Sequence, residues 1–273
     1  MTEEIILEKS TSTAHAPAPG GLRWLLSDIY TMTWRGIMRY IRLPQLLIFS
    51  TIQPVLFLLL FTYVFGGAIQ TPGTNYLNYL VPGILTQVVI FGSIQTGVGL
   101  AEDMSAGIIS RFRSLPMARS AVLAGRTLAD LCRNIFVMVL MITVAFIIGF
   151  RPEGSILHVI LALGIIALFG FSFSWISATI GLSVKNTETA QVAGFIWVFP
   201  LVFASSIFVP IGTMPHWLQT FANISPITVT VNWVRALILN TPAGDNWWQS
   251  LVWIFGLLID FSLLAVLQYG KTE

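Results

Sequence analysis

The chain has 273 residues, of which 55% are hydrophobic and only 10% are charged, and its formal net charge is +2. A soluble domain carries about 25% charged residues. This composition, with a mean hydropathy of +0.81, therefore excludes a soluble globular protein and indicates a membrane protein. The single cysteine, Cys132, excludes an intramolecular disulfide framework, and the three scattered histidines predict no metal site.

The N-terminal part divides into a tail and an amphipathic segment. Residues 1–21 are rich in Ser, Thr, Ala and Pro and begin with an acidic stretch, which predicts a disordered cytoplasmic tail without a cleavable signal. Leu22–Ile41 combines Arg23, Arg35 and Arg39 with Trp, Leu, Ile and Met. This mixture predicts a helix that lies in the membrane interface and points its basic side chains toward lipid headgroups.

Six segments predict an all-α polytopic membrane protein, because a membrane-spanning helix needs about 20 mainly apolar residues. These segments are Gln45–Phe65, Leu80–Ala101, Asn134–Phe150, Ile156–Ser183, Ala190–Ile211 and Trp248–Gln268. Thr213–Leu239 is also apolar, but it contains two prolines and several polar side chains. We expect this segment to form an outer re-entrant or surface helical hairpin, not a seventh span. Residues 22–273 would then form one transmembrane domain.

The orientation follows from the basic residues. If the N-terminus is cytoplasmic, twelve of the fourteen Lys and Arg fall on the cytoplasmic side, and only Arg151 and Arg235 fall on the opposite side. Cytoplasmic loops carry an excess of Lys and Arg in membrane proteins. We therefore expect both termini to be cytoplasmic.

The coupling region (102–133) lies between spans two and three and contains five arginines. One arginine at the centre of a membrane helix costs about 2.5–3.5 kcal/mol, so this region is expected outside the bilayer. The spacing of Met104, Ile108, Phe112 and Leu115 predicts a short helix with one apolar face, with acidic residues at its start and a proline turn at its end. Such a region either fixes topology alone or docks into a groove of another protein.

Two motifs resemble a known family. The run GIISRFRSLPMAR, which ends at Arg119, is similar to the corresponding loop of type-2 ATP-binding-cassette export permeases, above all to the daunorubicin-resistance permease branch. After span five, the spacing of Met214-Pro215, Pro226-Ile227 and Arg235 resembles the signature pattern of this family, from which Val198 and Val229 depart. The resemblance covers about residues 42–269.

The resemblance implies a permease subunit in the bacterial plasma (inner) membrane that exports a lipophilic drug-like or lipid substrate, as in multidrug resistance. Its partners would be a second permease subunit, in a homodimer or heterodimer, and two ABC ATPase subunits, with no nucleic acid involved. The chain would bind no cofactor and have no catalytic site, because the ATPase subunits bind Mg-ATP. The residues that would couple the permease to the ATPase are Glu102, Asp103, Gly107, Ile108, Arg111, Phe112, Leu115 and Pro116.

Polar and aromatic residues inside spans two and five are candidates for a substrate path: Gln87, Phe91, Gln95, Phe195, Phe199 and Phe203. The same aromatic residues would also be expected if they only packed between helices. Three other functions stay open at this point. Export of a polysaccharide or lipid-linked polymer is possible within the same family. An ion-coupled secondary transporter would normally contain several intramembrane acids, and only Asp260 is present. A membrane enzyme would need a constellation of catalytic residues near one membrane face.

Overall fold

The computed structural model describes residues 22–69, 71, 73–108, 119–184 and 186–271, and the regular structure in these ranges is entirely helical. The expected disordered tail lies outside the described residues. The helices are α1 (Leu22–Arg42), α2 (Pro44–Leu60), α3 (Tyr76–Ser105), α4 (Arg119–Ile147), α5 (Ile156–Ser183), α6 (Thr187–Phe203), α7 (His216–Ile224), α8 (Pro226–Ile238) and α9 (Asn246–Lys271). A π-helical turn (Phe61–Phe65) extends α2, and a 3₁₀ turn (Ile211–Thr213) precedes α7.

Five helical segments of the described chain are long and apolar enough to cross a membrane, namely α2 with its π-helical turn, α3, α4, α5 and α9. The prediction of an all-helical membrane protein is thereby confirmed. The remaining expected span, the fifth, corresponds to α6, which is apolar but has only 17 residues. The third span is part of a longer helix, since α4 begins at Arg119 instead of Asn134.

The central helix is α3, which packs against α2, α4, α5, α6 and α8. Its closest neighbour is α5, and the two helices touch through glycines. A methyl group at Gly97 would collide with the backbone oxygen of Ser177, and one at Gly181 would collide with the backbone oxygen of Gly97. Small residues permit this direct backbone contact between membrane helices. The two glycines therefore allow α3 and α5 to pack in direct backbone contact at the centre of the bundle.

The α6 helix ends earlier than expected, which corrects the predicted range Ala190–Ile211. It stops at Phe203, and residues 204–210 follow without a regular helix. Irregular backbone at membrane depth needs hydrogen-bond partners from within the protein. Here the Tyr76 hydroxyl donates to the Phe208 carbonyl oxygen at 3.0 Å, and the Tyr79 hydroxyl donates to that of Ser206 at 3.1 Å. These distant donors stabilise an early helix end that apolar composition alone does not reveal.

The segment expected to form a hairpin consists of α7 and α8, which are separated at Ser225. Pro226 begins α8, a position where its missing N–H costs nothing because the first helical N–H groups have no partner within the helix. Most of α8 is buried against α3, α5 and α9. This second helix of the pair is therefore an integral part of the core.

Candidate functional site

The acidic pair at the start of the coupling region belongs to the end of α3. Glu102 and Asp103 lie in the last turn of this helix, which ends at Ser105. The chain then turns at Gly107, whose φ of 67° lies in the left-handed region that glycine adopts without a steric penalty. This corrects the expectation that the two acids begin the coupling helix. Carboxylates at a helix C-terminus are disfavoured by the helix dipole, so they need compensation from elsewhere.

Two arginines supply that compensation. Arg39 of α1 donates a hydrogen bond to Glu102 at 2.6 Å, and Arg126 of α4 donates one to Asp103 at 3.3 Å. The first pair is partly exposed, whereas the second is largely buried. The end of α3 is thus linked to both α1 and α4 by ion pairs.

A buried carboxylate completes this polar cluster. Asp130 of α4 is fully buried, accepts a hydrogen bond from the Tyr40 hydroxyl of α1, and lies 3.5 Å from the Nε of Arg126. Burial, followed by the nearby Asp130 carboxylate, raises the pKa of Tyr40 above its ordinary value. Its hydroxyl therefore keeps its proton and donates to Asp130 throughout the physiological pH range. We call Tyr40, Asp103, Arg126 and Asp130 the cytoplasmic polar cluster, after the side of the membrane that the sequence predicts for this end of the molecule.

The remaining coupling candidates divide into two groups. Gly107 and Ile108 follow the polar cluster directly, and Ile108 is half-buried. Arg111, Phe112, Leu115 and Pro116 lie outside the described residues, as does the rest of the expected coupling helix. The described residues therefore show only the first part of the coupling region, where it leaves the end of α3.

Four of the six path candidates line one cavity of about 90 Å³: Gln87, Phe91, Gln95 and Phe195. The rings of Phe91 and Phe195 have centroids 5.8 Å apart and form its aromatic wall. Phe199 and Phe203 lie beyond this cavity, where they stack on each other at 4.3 Å and Phe203 stacks on Phe208 at 5.1 Å. These two residues form an aromatic seam between the cavity and the outer end of α6.

Sequence reasoning missed the polar wall of this cavity, which α4 provides through Arg133 and Asn134. The Arg133 guanidinium donates to the Gly92 carbonyl oxygen at 2.6 Å and to the Asn134 side-chain oxygen at 3.0 Å. Arg133 was assigned to the charged coupling region, although α4 continues without a break into the apolar span. An arginine and an asparagine side by side at the start of a span are a signal for a polar site.

Three buried polar atoms on the cavity wall have no hydrogen-bond partner among the described residues. These atoms are Gln87 Oε1, Arg133 Nε and Asn134 Nδ2, and each side chain is at least nine-tenths buried. A buried polar group without a partner costs about 1–3 kcal/mol. These side chains line the cavity beside its aromatic wall, so the lining combines aromatic rings with amide and guanidinium groups whose hydrogen-bonding capacity is not fully used.

A second buried arginine, Arg235, links several segments of the chain at the other end of the molecule. Arg235 of α8 donates to the carbonyl oxygens of Tyr79 and Ser206 at 3.1 and 2.8 Å and to the Asn232 side-chain oxygen at 2.8 Å. Its guanidinium also stacks 3.6 Å above the centre of the Tyr79 ring. We call Tyr79, Ser206, Asn232 and Arg235 the outer polar cluster, again after the side that the sequence predicts for this end. It joins α3, α8 and the irregular segment after α6.

Comparisons with known proteins agree on one family. Residues 27–239 match the family described as ABC-2 type transporter. A daunorubicin resistance ABC transporter permease protein of Streptomyces coeruleorubidus is 35% identical over 241 residues, covering 88% of this chain and 83% of that protein. A doxorubicin resistance ABC transporter permease protein of Mycobacterium tuberculosis is 24% identical over 212 residues, covering 76% of this chain and 73% of that protein.

Proposed function

Since this chain belongs to the ABC-2 type transporter family, we propose that it is the permease subunit of an ATP-driven exporter for lipophilic drug-like or lipid molecules. The cavity beside Phe91 and Phe195 is the observation that supports a substrate of this kind, because it joins an aromatic wall to unpartnered polar atoms. ATP hydrolysis would take place in a separate ABC ATPase, of which two copies would serve two permease subunits.

The size of the cavity favours a site shared between two permease subunits. About 90 Å³ corresponds to only a few water molecules, whereas pockets for drug-sized ligands measure about 300–1,000 Å³. Phe195, Phe199 and Phe203 are each between 36% and 49% exposed along one side of α6. A second subunit that faces this side would enlarge the cavity into a pathway and cover the aromatic seam.

The substrate path can be tested by removing its aromatic wall. We expect Phe195→Ala to reduce daunorubicin efflux by about 3- to 10-fold in bacteria that also express the ATPase partner, since one aromatic contact contributes about 0.5–1.5 kcal/mol. The matched control is Phe255→Ala, which removes an aromatic ring from the exposed surface of α9. Efflux that is unchanged in both Phe195→Ala and Phe91→Ala would contradict a path at this cavity.

The proposed role in coupling to the ATPase can be tested at the residues that follow the cytoplasmic polar cluster in the chain. Ile108→Asp should abolish co-purification of the ATPase, because an unpaired carboxylate would have to be desolvated in the docked interface at a cost of several kcal/mol. Phe112→Asp should act in the same way. The control is Ser105→Asp, which adds the same charge at an exposed position one turn earlier. Normal ATPase binding and transport in Ile108→Asp and Phe112→Asp would leave the region with a topological role only.

We further propose six membrane crossings with both termini in the cytoplasm, in which α6 and residues 204–210 together form the fifth crossing and α7–α8 forms an outer hairpin. The hydrogen bonds from Tyr76 and Tyr79 to residues 204–210 support this arrangement. Single cysteines at Thr213 and Asn240, in a Cys132→Ser background, should be labelled from the same outer side by a membrane-impermeant reagent. Labelling from opposite sides would show that α7–α8 crosses the membrane.

A further inference from the structure

A basic cleft lies beneath α1 where this helix meets the end of α3 and the start of α4. It has a volume of about 700 Å³, and its charged lining consists of Arg35, Arg39, Arg42, Asp103 and Arg126. The three arginines of α1 follow a spacing of four and three residues, which places them on one face of the helix. The lining thus contains four positive side chains and one carboxylate, so the cleft suits an anion.

Not all of these charges have the same freedom to bind a ligand. Arg39 pairs with Glu102, and Arg126 pairs with Asp103 and Asp130. Arg42 is exposed at the end of α1 and makes no hydrogen bond or ion pair with any part of the chain that the structure describes. A guanidinium has five N–H donors in a planar fork that matches a phosphate group. Arg42 is therefore the principal candidate for contact with an anionic group.

An apolar groove begins next to the basic cleft. It has a volume of about 500 Å³ and runs between α2 and α4, with Pro44, Leu47, Ile48, Ile52 and Phe136 in its lining. Leu43 lines the basic cleft and the next residue, Pro44, lines the groove, so the two cavities are lined by neighbouring residues where α1 meets α2. The combined surface is cationic at one end and apolar at the other.

The aromatic residues of α1 indicate the depth of this surface. Trp24 and Trp34 are 56% and 51% exposed, and the Trp34 ring stacks on that of Tyr30 at 6.5 Å. Tryptophan and tyrosine are enriched at the level of the lipid headgroups. With α1 at that level on the cytoplasmic side, as in the topology proposed above, the basic cleft would lie among the headgroups and the groove within the hydrocarbon.

We infer that the basic cleft and the apolar groove together bind one anionic phospholipid of the cytoplasmic leaflet, with its phosphate at Arg42 and an acyl chain along the groove. A soluble phosphate would make no use of the groove, whereas a phospholipid carries the anionic group and the apolar chain in one molecule. Anionic lipids are concentrated in this leaflet, and basic pockets between membrane helices bind their headgroups. The site lies apart from the cavity beside Phe91 and Phe195 and would hold a structural lipid.

The inference can be tested on the full-length chain, purified in detergent and stripped of lipid, by native mass spectrometry with added phosphatidylglycerol. We expect about 10-fold tighter binding than for phosphatidylcholine and about 5-fold weaker binding of phosphatidylglycerol to Arg42→Gln, as one basic side chain near an anionic headgroup contributes on this scale. Arg23→Gln is the matched control, since Arg23 lies on the same helix outside the cleft. Equal binding of the two lipids, or no effect of Arg42→Gln, would overturn the inference.

A second variant tests the acyl chain separately. Ile48 is 56% exposed in the groove, so Ile48→Trp should fill the groove without disturbing the core and should weaken phosphatidylglycerol binding. Ile160→Trp, at a similarly exposed position on α5, should have no effect. Glycerol 3-phosphate should compete only at concentrations far above those of the lipid, and equal competition would mean that the cleft binds a soluble phosphate. These assays need neither ATP nor transport, so a negative result would leave the proposed export function untouched.

Discussion

The two polar clusters hold buried arginines in different ways. In the outer polar cluster, Arg235 donates to two backbone carbonyls and one amide oxygen, all of them uncharged. In the cytoplasmic polar cluster, Arg126 lies between the carboxylates of Asp103 and Asp130. The outer acceptors are cross-linked by further hydrogen bonds, from the Tyr79 hydroxyl to the Ser206 carbonyl and from the Ser206 hydroxyl to the Asn232 side chain. The two carboxylates instead lie on separate helices, α3 and α4, and share one arginine. The outer cluster therefore suits a fixed frame. The cytoplasmic cluster, three of whose members belong to the coupling region, would suit the proposed role of transmitting movement from an ATPase.

The largest expected effect comes from breaking the fixed frame. Arg235→Leu removes three buried hydrogen bonds from a charged donor, which should lower the free energy of unfolding by at least about 3 kcal/mol. Denaturant titration of the purified protein in mild detergent measures this loss. Arg151→Leu is the control, because Arg151 is exposed and its guanidinium donates, among the described residues, only to the Phe146 and Phe150 carbonyls near the end of α4. Similar losses of unfolding free energy in the two variants would contradict a particular structural role for Arg235.

An intermediate effect is expected from the cytoplasmic polar cluster. Tyr40→Phe removes the hydrogen bond to Asp130, and a bond to a charged group contributes about 1.5–3 kcal/mol. The same variant should reduce the stimulation of the partner ATPase, since Tyr40 links α1 to the coupling region. Tyr30→Phe, at a position that is 68% exposed, should change neither quantity. If Tyr40→Phe lowered stability but left stimulation intact, the cluster would be a structural feature like its outer counterpart.

The smallest effect is expected for the partly exposed pair of Arg39 and Glu102. Exposed ion pairs contribute about 0–1 kcal/mol and are screened by salt. Arg39→Gln should therefore lower the free energy of unfolding by less than about 1 kcal/mol at low salt, and the difference should vanish in high salt. A loss as large as that of Tyr40→Phe would show that this pair belongs to the buried cluster.

The parts of the fold that sequence predicts are those set by local composition. Long apolar runs determine the helices, and α5 matches its expected range, Ile156–Ser183, at both ends. The end of α3 escaped prediction because Glu102 and Asp103 are stabilised by Arg39 and Arg126, which are distant in sequence. No local pattern contains that information.

In the candidate site too, one part of the arrangement was predictable from the sequence and another part was not. Residues on spans two and five were expected to meet, and four of them share a cavity because α3 and α6 pack together. Arg133 and Asn134 were missed because their charge and polarity placed them with the coupling region in sequence. Only the unbroken course of α4 brings them against Gly92 of α3.

The π-helical turn at Phe61–Phe65 has a consequence for the angular phase of the first span. Each residue of an α-helix advances by about 100° around its axis, so one additional residue in a wide turn rotates everything beyond it by that angle. Phe61, the first residue of the turn, stacks on Phe208 with ring centroids 4.4 Å apart, and Phe65, its last residue, stacks on Phe61 at 5.2 Å. Deleting one residue of the turn would rotate the residues that follow it and direct Phe65 elsewhere, while the part of α2 before the turn kept its orientation.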